Sequence, residues 1–176
     1  MTITLAEAIP LRKVIERRIY ELQNERSQVS TLSIEKGEQY EIPARNVDVI
    51  TNEIHEAQKE YRTLQTLITR ANLDNSVEWD GGELSLTEAI ELAKQMRIEI
   101  EHFKRLGSRK KSERESGRRG LLSDGNSHLL SVALYEPEHY RTKALKFERQ
   151  SNKLSSLIER KNHFVELTFD ASRYID

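Results

Sequence analysis

The feature that most constrains the fold is a run of eight apolar residues at alternating spacings of three and four, between Val47 and Ala71. This spacing places all eight on one face of an α-helix and is typical of the a and d positions of a coiled coil. They are Val47, Ile50, Ile54, Ala57, Tyr61, Leu64, Ile68 and Ala71. At 1.5 Å per residue the predicted helix is about 40 Å long. A face of this length requires at least one partner helix to cover it.

Two similar segments, LAEAIPLRKVI from Leu5 and LTEAIELAKQM from Leu86, predict two further helices. The apolar positions are Ala8, Ile15, Ile19 and Leu22 in the first, where Arg12 interrupts, and Ala89, Ala93, Met96, Ile100 and Phe103 in the second. Thr4 and Ser85 precede these segments, each followed three residues later by a glutamate, which predicts a capping box at both helix starts. Pro10 would then lie inside the first helix, so we expect either a kink or a regular part that starts near Pro10.

A fourth helix is predicted to open at Pro137, where proline is tolerated because the N–H it lacks has no helical partner. Its core-facing positions are Tyr140, Ala144, Phe147, Ser151, Leu154 and Ile158, a weaker pattern because Ser151 is polar, and Leu145, Leu157 and Phe164 are expected to widen the stripe.

The order of helix, linker and longer helix occurs twice. LITRAN (Leu67–Asn72) ends the second helix, and LIERKN (Leu157–Asn162) ends the fourth. We therefore predict a mainly α fold, a single domain over residues 1–176 built of two repeats, 1–80 and 81–176. Each repeat would be an antiparallel helical hairpin, and the two would form an elongated four-helix bundle or coiled coil.

The linkers differ from each other. Leu32, Ile34, Tyr40 and Ile42 alternate with polar residues around Gly37, which predicts a small β-hairpin with a three-residue loop. In the second linker, LLSVALY (Leu129–Tyr135) either adds a strand beside that hairpin or covers the bundle.

Composition limits the function classes. Hydrophobic residues make up 36% of the chain and charged residues 32%, which suits amphipathic helices better than a thick α/β core. There is no cysteine for disulfides, thiolate metal sites or a Cys nucleophile. No stretch approaches the roughly 20 apolar residues of a transmembrane helix, and no secretory signal is evident. We expect a cytoplasmic protein with no membrane partner.

The candidate functional segment is the basic linker, residues 105–119. Residues 105–120 hold seven Lys or Arg and two Glu, a local net charge of +5 in a chain of net −1. The predicted phosphate-contacting residues are Arg105, Arg109, Lys110, Lys111, Arg114, Arg118 and Arg119. No aromatic residue lies among them for base stacking. The alternative is a solvated loop, or one that docks on an acidic face of a neighbouring subunit.

Other candidate chemistry is weak. Glu99 with His102 and Glu136 with His139 have the Glu-x-x-His spacing of di-iron bundles, but Glu99 and His102 flank the apolar positions rather than occupy them. Gly81-Gly82 is explained by a turn. We therefore predict no metal site, no cofactor and no enzymatic activity.

The chain resembles the small bacterial proteins labelled septicolysin, on the segments LAEAI (Leu5–Ile9), LITRAN, GGELSLTEAI (Gly81–Ile90) and KLSSLIERKNHFVEL (Lys153–Leu167). It departs from them in its longer basic linker and in Asn162-His163-Phe164, where they have Asn-Trp. The resemblance implies a helical, oligomeric protein without established catalytic residues, and the name implies a pore-forming toxin.

The leading hypothesis from the sequence is a non-enzymatic protein that forms a homo-oligomer through its helical stripes and acts through assembly or partner binding. A nucleic-acid-binding module using the basic linker is one alternative. A cytolysin-like protein is another, although no alternating segment is long enough for a transmembrane strand.

Overall fold

A computed structural model describes residues 2–114 and 130–174 of the chain. Within these ranges the protein is mainly helical, with four α-helices and three two-stranded antiparallel sheets. The helices are α1 (Leu5–Gln28), α2 (Val47–Asp74), α3 (Leu86–Gly107) and α4 (Pro137–Phe164). The strands are β1 (Thr2–Thr4), β2 (Ser76–Trp79), β3 (Gly82–Ser85), β4 (Ser112–Arg114), β5 (Leu130–Val132) and β6 (Glu166–Thr168). The predicted class, helical with small β-hairpins, is confirmed.

The chain divides into two compact units. Unit 1 comprises Met1–Leu86 together with Glu159–Asp176, and unit 2 comprises Thr87–Ile158. The duplication of residues 1–80 in 81–176 stays a prediction.

The core of unit 1 lies between α1 and α2, which pack as an antiparallel hairpin. The Arg12 side chain donates to Gln65 at 2.7 Å near one end, and Arg26 donates to Thr51 at 3.3 Å near the other. Leu22, Ile50 and Ile54 form a buried cluster against which Ile19 packs. Of the eight α2 residues predicted on one face, six are buried, whereas Val47 and Tyr61 are half-buried. The three-and-four spacing therefore identified the core face of α2.

Unit 2 contains most of α3 and of α4, and these two helices run antiparallel to each other. Arg97 donates to Ser155 at 3.0 Å, and Lys104 pairs with Glu148 at 2.6 Å. All five predicted apolar positions of α3 are buried. In α4, Ala144, Ser151 and Leu154 are buried, but Leu145 and Phe164 are 57% and 76% exposed. The expected widening of the α4 stripe was wrong at those two residues, because they lie off the face that meets α3.

Helices α1 and α3 each begin with the same type of backbone hydrogen bond to the end of another helix. The first N–H of α1, on Leu5, donates to the carbonyl of Val165, just after α4, at 2.8 Å. The first N–H of α3, on Leu86, donates to the carbonyl of Asn75, just after α2, also at 2.8 Å. Next to these bonds, β1 pairs with β6 and β2 pairs with β3. Each helix start is thereby fixed to the end of a longer helix.

The capping box predicted at Thr4 is present. The Thr4 hydroxyl accepts from the Glu7 backbone N–H at 3.2 Å, and the Glu7 carboxylate accepts from the Thr4 N–H at 2.7 Å. These bonds hold the pKa of Glu7 below its ordinary value, because they favour the ionised form. Helix α1 begins at Leu5 and continues through Pro10, so the expectation that its regular part starts near Pro10 was wrong.

Two expectations about strands are corrected. Residues 31–43, all of them described, form no strand. They contain a turn in which the Glu38 N–H donates to the Glu35 carbonyl at 3.1 Å, with Gly37 at φ +95°. In the second linker, β5 lies within the predicted 129–135 segment, but it pairs with β4 of the same linker rather than with the first.

Candidate interaction surfaces

A loop at the end of the α1–α2 hairpin exposes large apolar side chains to solvent. We call residues 31–43 the apolar loop. Leu32 is 68% exposed, Ile34 42%, Tyr40 64% and Ile42 74%, and Val29 beside it is exposed as well. Contiguous exposed apolar residues of this kind mark interaction sites more often than isolated ones do. The predicted alternation is therefore present in the sequence, but among the described residues these apolar side chains face solvent rather than a core.

The base of the apolar loop is fixed by ion pairs and a helix cap. Arg45 binds the carboxylates of Glu25 in α1 and Glu53 in α2 with its guanidinium fork, and its Nη2 lies 2.9 Å from an oxygen of each. These hydrogen bonds lower the pKa of both glutamates. The Asn46 side chain then accepts from the Asp48 and Val49 N–H groups, which caps α2. The residues that follow the apolar loop are therefore bound to both α1 and α2.

The turn at the tip of the apolar loop explains why no hairpin forms there. Only the third residue of the Glu35–Glu38 turn, Gly37, has positive φ, which is the pattern of a type II turn. Type II turns splay the flanking chains, because their twist does not match that of paired strands. Leu32–Ile34 and Tyr40–Ile42 therefore lack a strand partner in the described chain.

The predicted basic residues fall into three groups. Arg105, Arg109 and Lys110 are exposed, with an Arg105 Nη2 3.0 Å from His102 Nδ1 and Lys110 3.8 Å from Glu113. Lys111 is engaged locally, since its ammonium donates to the Tyr135 carbonyl at 2.7 Å. The side chain of Arg114, and Arg118 and Arg119, lie outside the described residues.

Further cations on α4 were missed by the sequence analysis. Lys146, Arg149 and Lys153 are exposed and follow a spacing of three and four, so they share one helix face. None of the three has a carboxylate partner within residues 2–114 and 130–174. The spacing was visible in the sequence, but only the structure shows which side of α4 faces solvent.

The linker end of the α3–α4 hairpin is held by aromatic packing and by bonds to the end of α3. Phe103 contacts the rings of Tyr140 and Phe147 at centroid distances of 5.7 and 5.1 Å, and the Lys143 ammonium lies 4.8 Å from the Phe103 centroid. The Arg141 Nε donates to the Gly107 carbonyl at 2.6 Å. A Cβ on Gly107 would lie 2.9 Å from the Arg141 backbone nitrogen, so the approach requires glycine. This packing places β4 and β5 next to a rigid helix end.

Strand β5 and the residue pair after it present a second exposed apolar row. Leu130 is 58% exposed, Val132 53% and Leu134 98%. The β4–β5 pair is two-stranded in the described chain, so each strand has one backbone edge without a partner. The Ala133 N–H donates to the Lys111 carbonyl at 2.9 Å, which extends the pairing beyond β5.

A cleft of about 510 Å³ in unit 1 offers no comparable surface. It lies between α1 and α2, and its cations already face carboxylates: Arg18 is 3.8 Å from both Glu21 and Glu53. On its rim, Arg173 of the C-terminal segment pairs with Glu56 and Glu60. The charges there are paired within unit 1.

The described ranges contain neither a cluster of metal-ligating side chains nor a membrane-spanning helix. No group of three or more His, Asp or Glu side chains there is arranged to hold a metal ion, and Glu99, His102, Glu136 and His139 are all exposed. Across the same ranges, no helix has both the length and the apolar character that crossing a bilayer demands.

The two units carry opposite charge. Unit 1 has 13 Lys or Arg against 19 Asp or Glu, a net of −6, and unit 2 has 15 against 10, a net of +5. The net charge of the whole chain is therefore close to zero because an acidic unit and a basic unit nearly cancel each other.

Comparison with known proteins identifies a fold but no family. No protein-family model and no curated protein matches the chain. A solved structure with a similar fold is the crystal structure of a functionally unknown conserved protein from Corynebacterium diphtheriae. It aligns with a TM-score of 0.64 over 96% of this chain and 100% of that one, at 23% sequence identity. Similarity at this level shows the fold alone.

Proposed function

We propose that this protein acts by binding rather than by catalysis, and that it self-associates through exposed apolar residues at its hairpin ends. The observation that carries this proposal is the apolar loop, in which Leu32, Ile34, Tyr40 and Ile42 are all exposed. Their burial against another protein would remove apolar surface from water, which is favourable by about 25 cal/mol per Å². The helical stripes that first suggested association are instead largely used within the chain.

Sedimentation velocity at micromolar concentration tests the proposal. We expect species heavier than the 20.5 kDa chain, and we expect the variant with Leu32, Ile34, Tyr40 and Ile42 all changed to Ser to be monomeric. The matched control changes Leu73, Leu145 and Phe164 to Ser, because these residues are as exposed but lie elsewhere. A wild-type protein that stays monomeric at every concentration and salt would refute self-association.

A second candidate function is binding of nucleic acid through unit 2. It is supported by the net charge of +5 and by Lys146, Arg149 and Lys153, which no described carboxylate neutralises. Phosphate contacts of this kind release counterions, so affinity would fall steeply with salt. The resemblance-based alternative, pore formation, has no comparable support among the described residues.

Fluorescence anisotropy with a labelled DNA duplex distinguishes this candidate. We expect affinity to fall at least tenfold when Lys146, Arg149 and Lys153 become Gln, and the salt slope to decrease. The control changes three exposed cations of the acidic unit, Lys59, Arg62 and Arg70, to Gln and should bind as the wild type does. Equal binding by both variants would exclude this surface.

A further inference from the structure

Two segments of this chain have complementary properties, and each exposes apolar side chains to solvent. In the apolar loop, apolar residues alternate with polar ones on both sides of the turn, and in the described chain its one backbone–backbone hydrogen bond runs from the Glu38 N–H to the Glu35 carbonyl. Strand β5, together with Leu134, presents apolar side chains at the same two-residue spacing, beside strand edges that have no partner among the described residues. An exposed strand edge pairs readily with a segment that can extend along it.

Charge distinguishes the possible pairings. The apolar loop contains three Glu and one Lys, a net of −2, whereas residues 105–114, which include β4, contain five Lys or Arg and one Glu, a net of +4. A loop docked on the same loop of another copy would bring like charges together, and so would β4–β5 docked on itself. Docking of the apolar loop of one copy on the β4–β5 pair of another copy brings opposite charges together instead. Glu35, Glu38 and Glu41 would then face exposed cations such as Arg109 and Lys110.

We propose that the apolar loop of one copy docks on the β4–β5 strand pair of a second copy, so that the protein assembles head to tail. This inference rests on the self-association proposed above and specifies which surfaces form it. Because the two surfaces differ, a single contact leaves the strand pair of one copy and the apolar loop of the other copy unoccupied. The assembly therefore closes into a ring, of which a dimer with two reciprocal loop-to-strand contacts is the smallest, or it grows into a filament.

A mixing experiment with two variants tests the pairing. The loop variant changes Leu32, Ile34, Tyr40 and Ile42 to Ser, and the strand variant changes Leu130, Val132 and Leu134 to Ser. We expect each variant alone to be monomeric, because one side of every contact is lost. Their equimolar mixture retains one intact pair of surfaces and should form a 1:1 dimer that grows no further, measured by sedimentation velocity. Far-UV circular dichroism checks that both variants fold, as their exposure predicts.

The outcomes separate this inference from the proposed function. If the wild type associates but the strand variant associates equally well, head-to-tail docking is refuted while self-association stands. If both variants are monomeric and their mixture is too, the intact loop of one variant does not dock on the intact strand pair of the other, and the inference is wrong. A monomeric wild type would refute both proposals.

Cross-linking gives a second measurement that does not depend on those variants. The chain has no cysteine, so Ile34→Cys and Leu134→Cys can each be introduced alone. Under oxidation we expect the mixture of the two to give a disulfide-linked dimer in at least tenfold higher yield than either variant alone. Equal yields from the mixture and the separate variants would contradict the proposed contact.

Discussion

At the scale of single residues, two glycines with positive φ decide two different turns. In the β2–β3 hairpin, Asp80 has φ +52° and Gly81 φ +81°, the pattern of a type I′ turn, whose twist matches that of paired strands. In the apolar loop only Gly37 has positive φ, and no strands form. The two turns therefore differ in the residue before the glycine: Asp80 has positive φ in the paired hairpin, whereas Lys36 does not in the apolar loop.

Gly81→Ala should destabilise the protein by about 1 kcal/mol, because a side chain in the left-handed region meets its own backbone. Gly82→Ala is the matched control, since Gly82 does not have positive φ and an added Cβ would only approach the Trp79 carbonyl at 3.9 Å. Urea denaturation of the two variants measures the difference. If Gly82→Ala destabilises the chain as much as Gly81→Ala does, the strain argument fails.

At the scale of elements, the helices were predictable because their signal is long and local. Spacings of three and four sustained over α2 locate a buried face before any partner is known, and six of its eight predicted residues are buried. The Thr4 capping box was predictable for the same reason, since its two residues are three apart. Leu145 and Phe164 were misassigned because apolar character alone does not show which side of α4 meets α3.

The strands were less predictable because most of them are three residues long and pair with distant partners. Strand β1 pairs with β6 at the other end of the chain, and no local pattern in Thr2–Thr4 indicates this. The β2–β3 hairpin did carry a signal: Asp80-Gly81 between VEW and ELS is a typical two-residue hairpin turn. It was interpreted only as a turn, because its flanks offer few apolar alternations.

The candidate surfaces were predictable only where their residues are close together in the sequence. Arg105, Arg109 and Lys110 form a local cluster in the sequence and are exposed as expected. The cations of α4 emerged only when the structure showed which face of that helix is in solvent. The alternating pattern of residues 31–43 predicts a β-hairpin that the structure does not form, because the sequence does not specify the type II turn at Gly37.

At the scale of the whole molecule, both ends of the chain belong to unit 1. Strand β1 pairs with β6, and the segment that follows buries Phe169 and Ala171. Arg173 then binds Glu56 and Glu60, and the Tyr174 hydroxyl donates to Glu60. Burial and this carboxylate raise the pKa of Tyr174 to about 12. Unit 1 is therefore completed only by residues at the far end of the chain.

Because the C-terminal segment completes unit 1, we expect alanine substitution to lower the free energy of unfolding by different amounts at Phe169 and at Phe164. Phe169 is 7% exposed and Phe164 is 76% exposed. Phe169→Ala should lower the free energy of unfolding by about 3 kcal/mol, because it leaves a cavity where the C-terminal segment packs. Phe164→Ala, the matched control, should change it by less than about 0.5 kcal/mol.

Chemical denaturation measures both phenylalanine variants, and hydrogen exchange locates the effect. Because Phe169 belongs to unit 1, amide protection should fall first in β1, β6 and the helices α1 and α2 that share its core. Protection in the part of α3 within unit 2 should fall less, since Ala93, Met96 and Ile100 are buried in the other unit. Equal loss of protection in both units would mean that they unfold as one, and that the chain ends stabilise the whole protein rather than unit 1 alone.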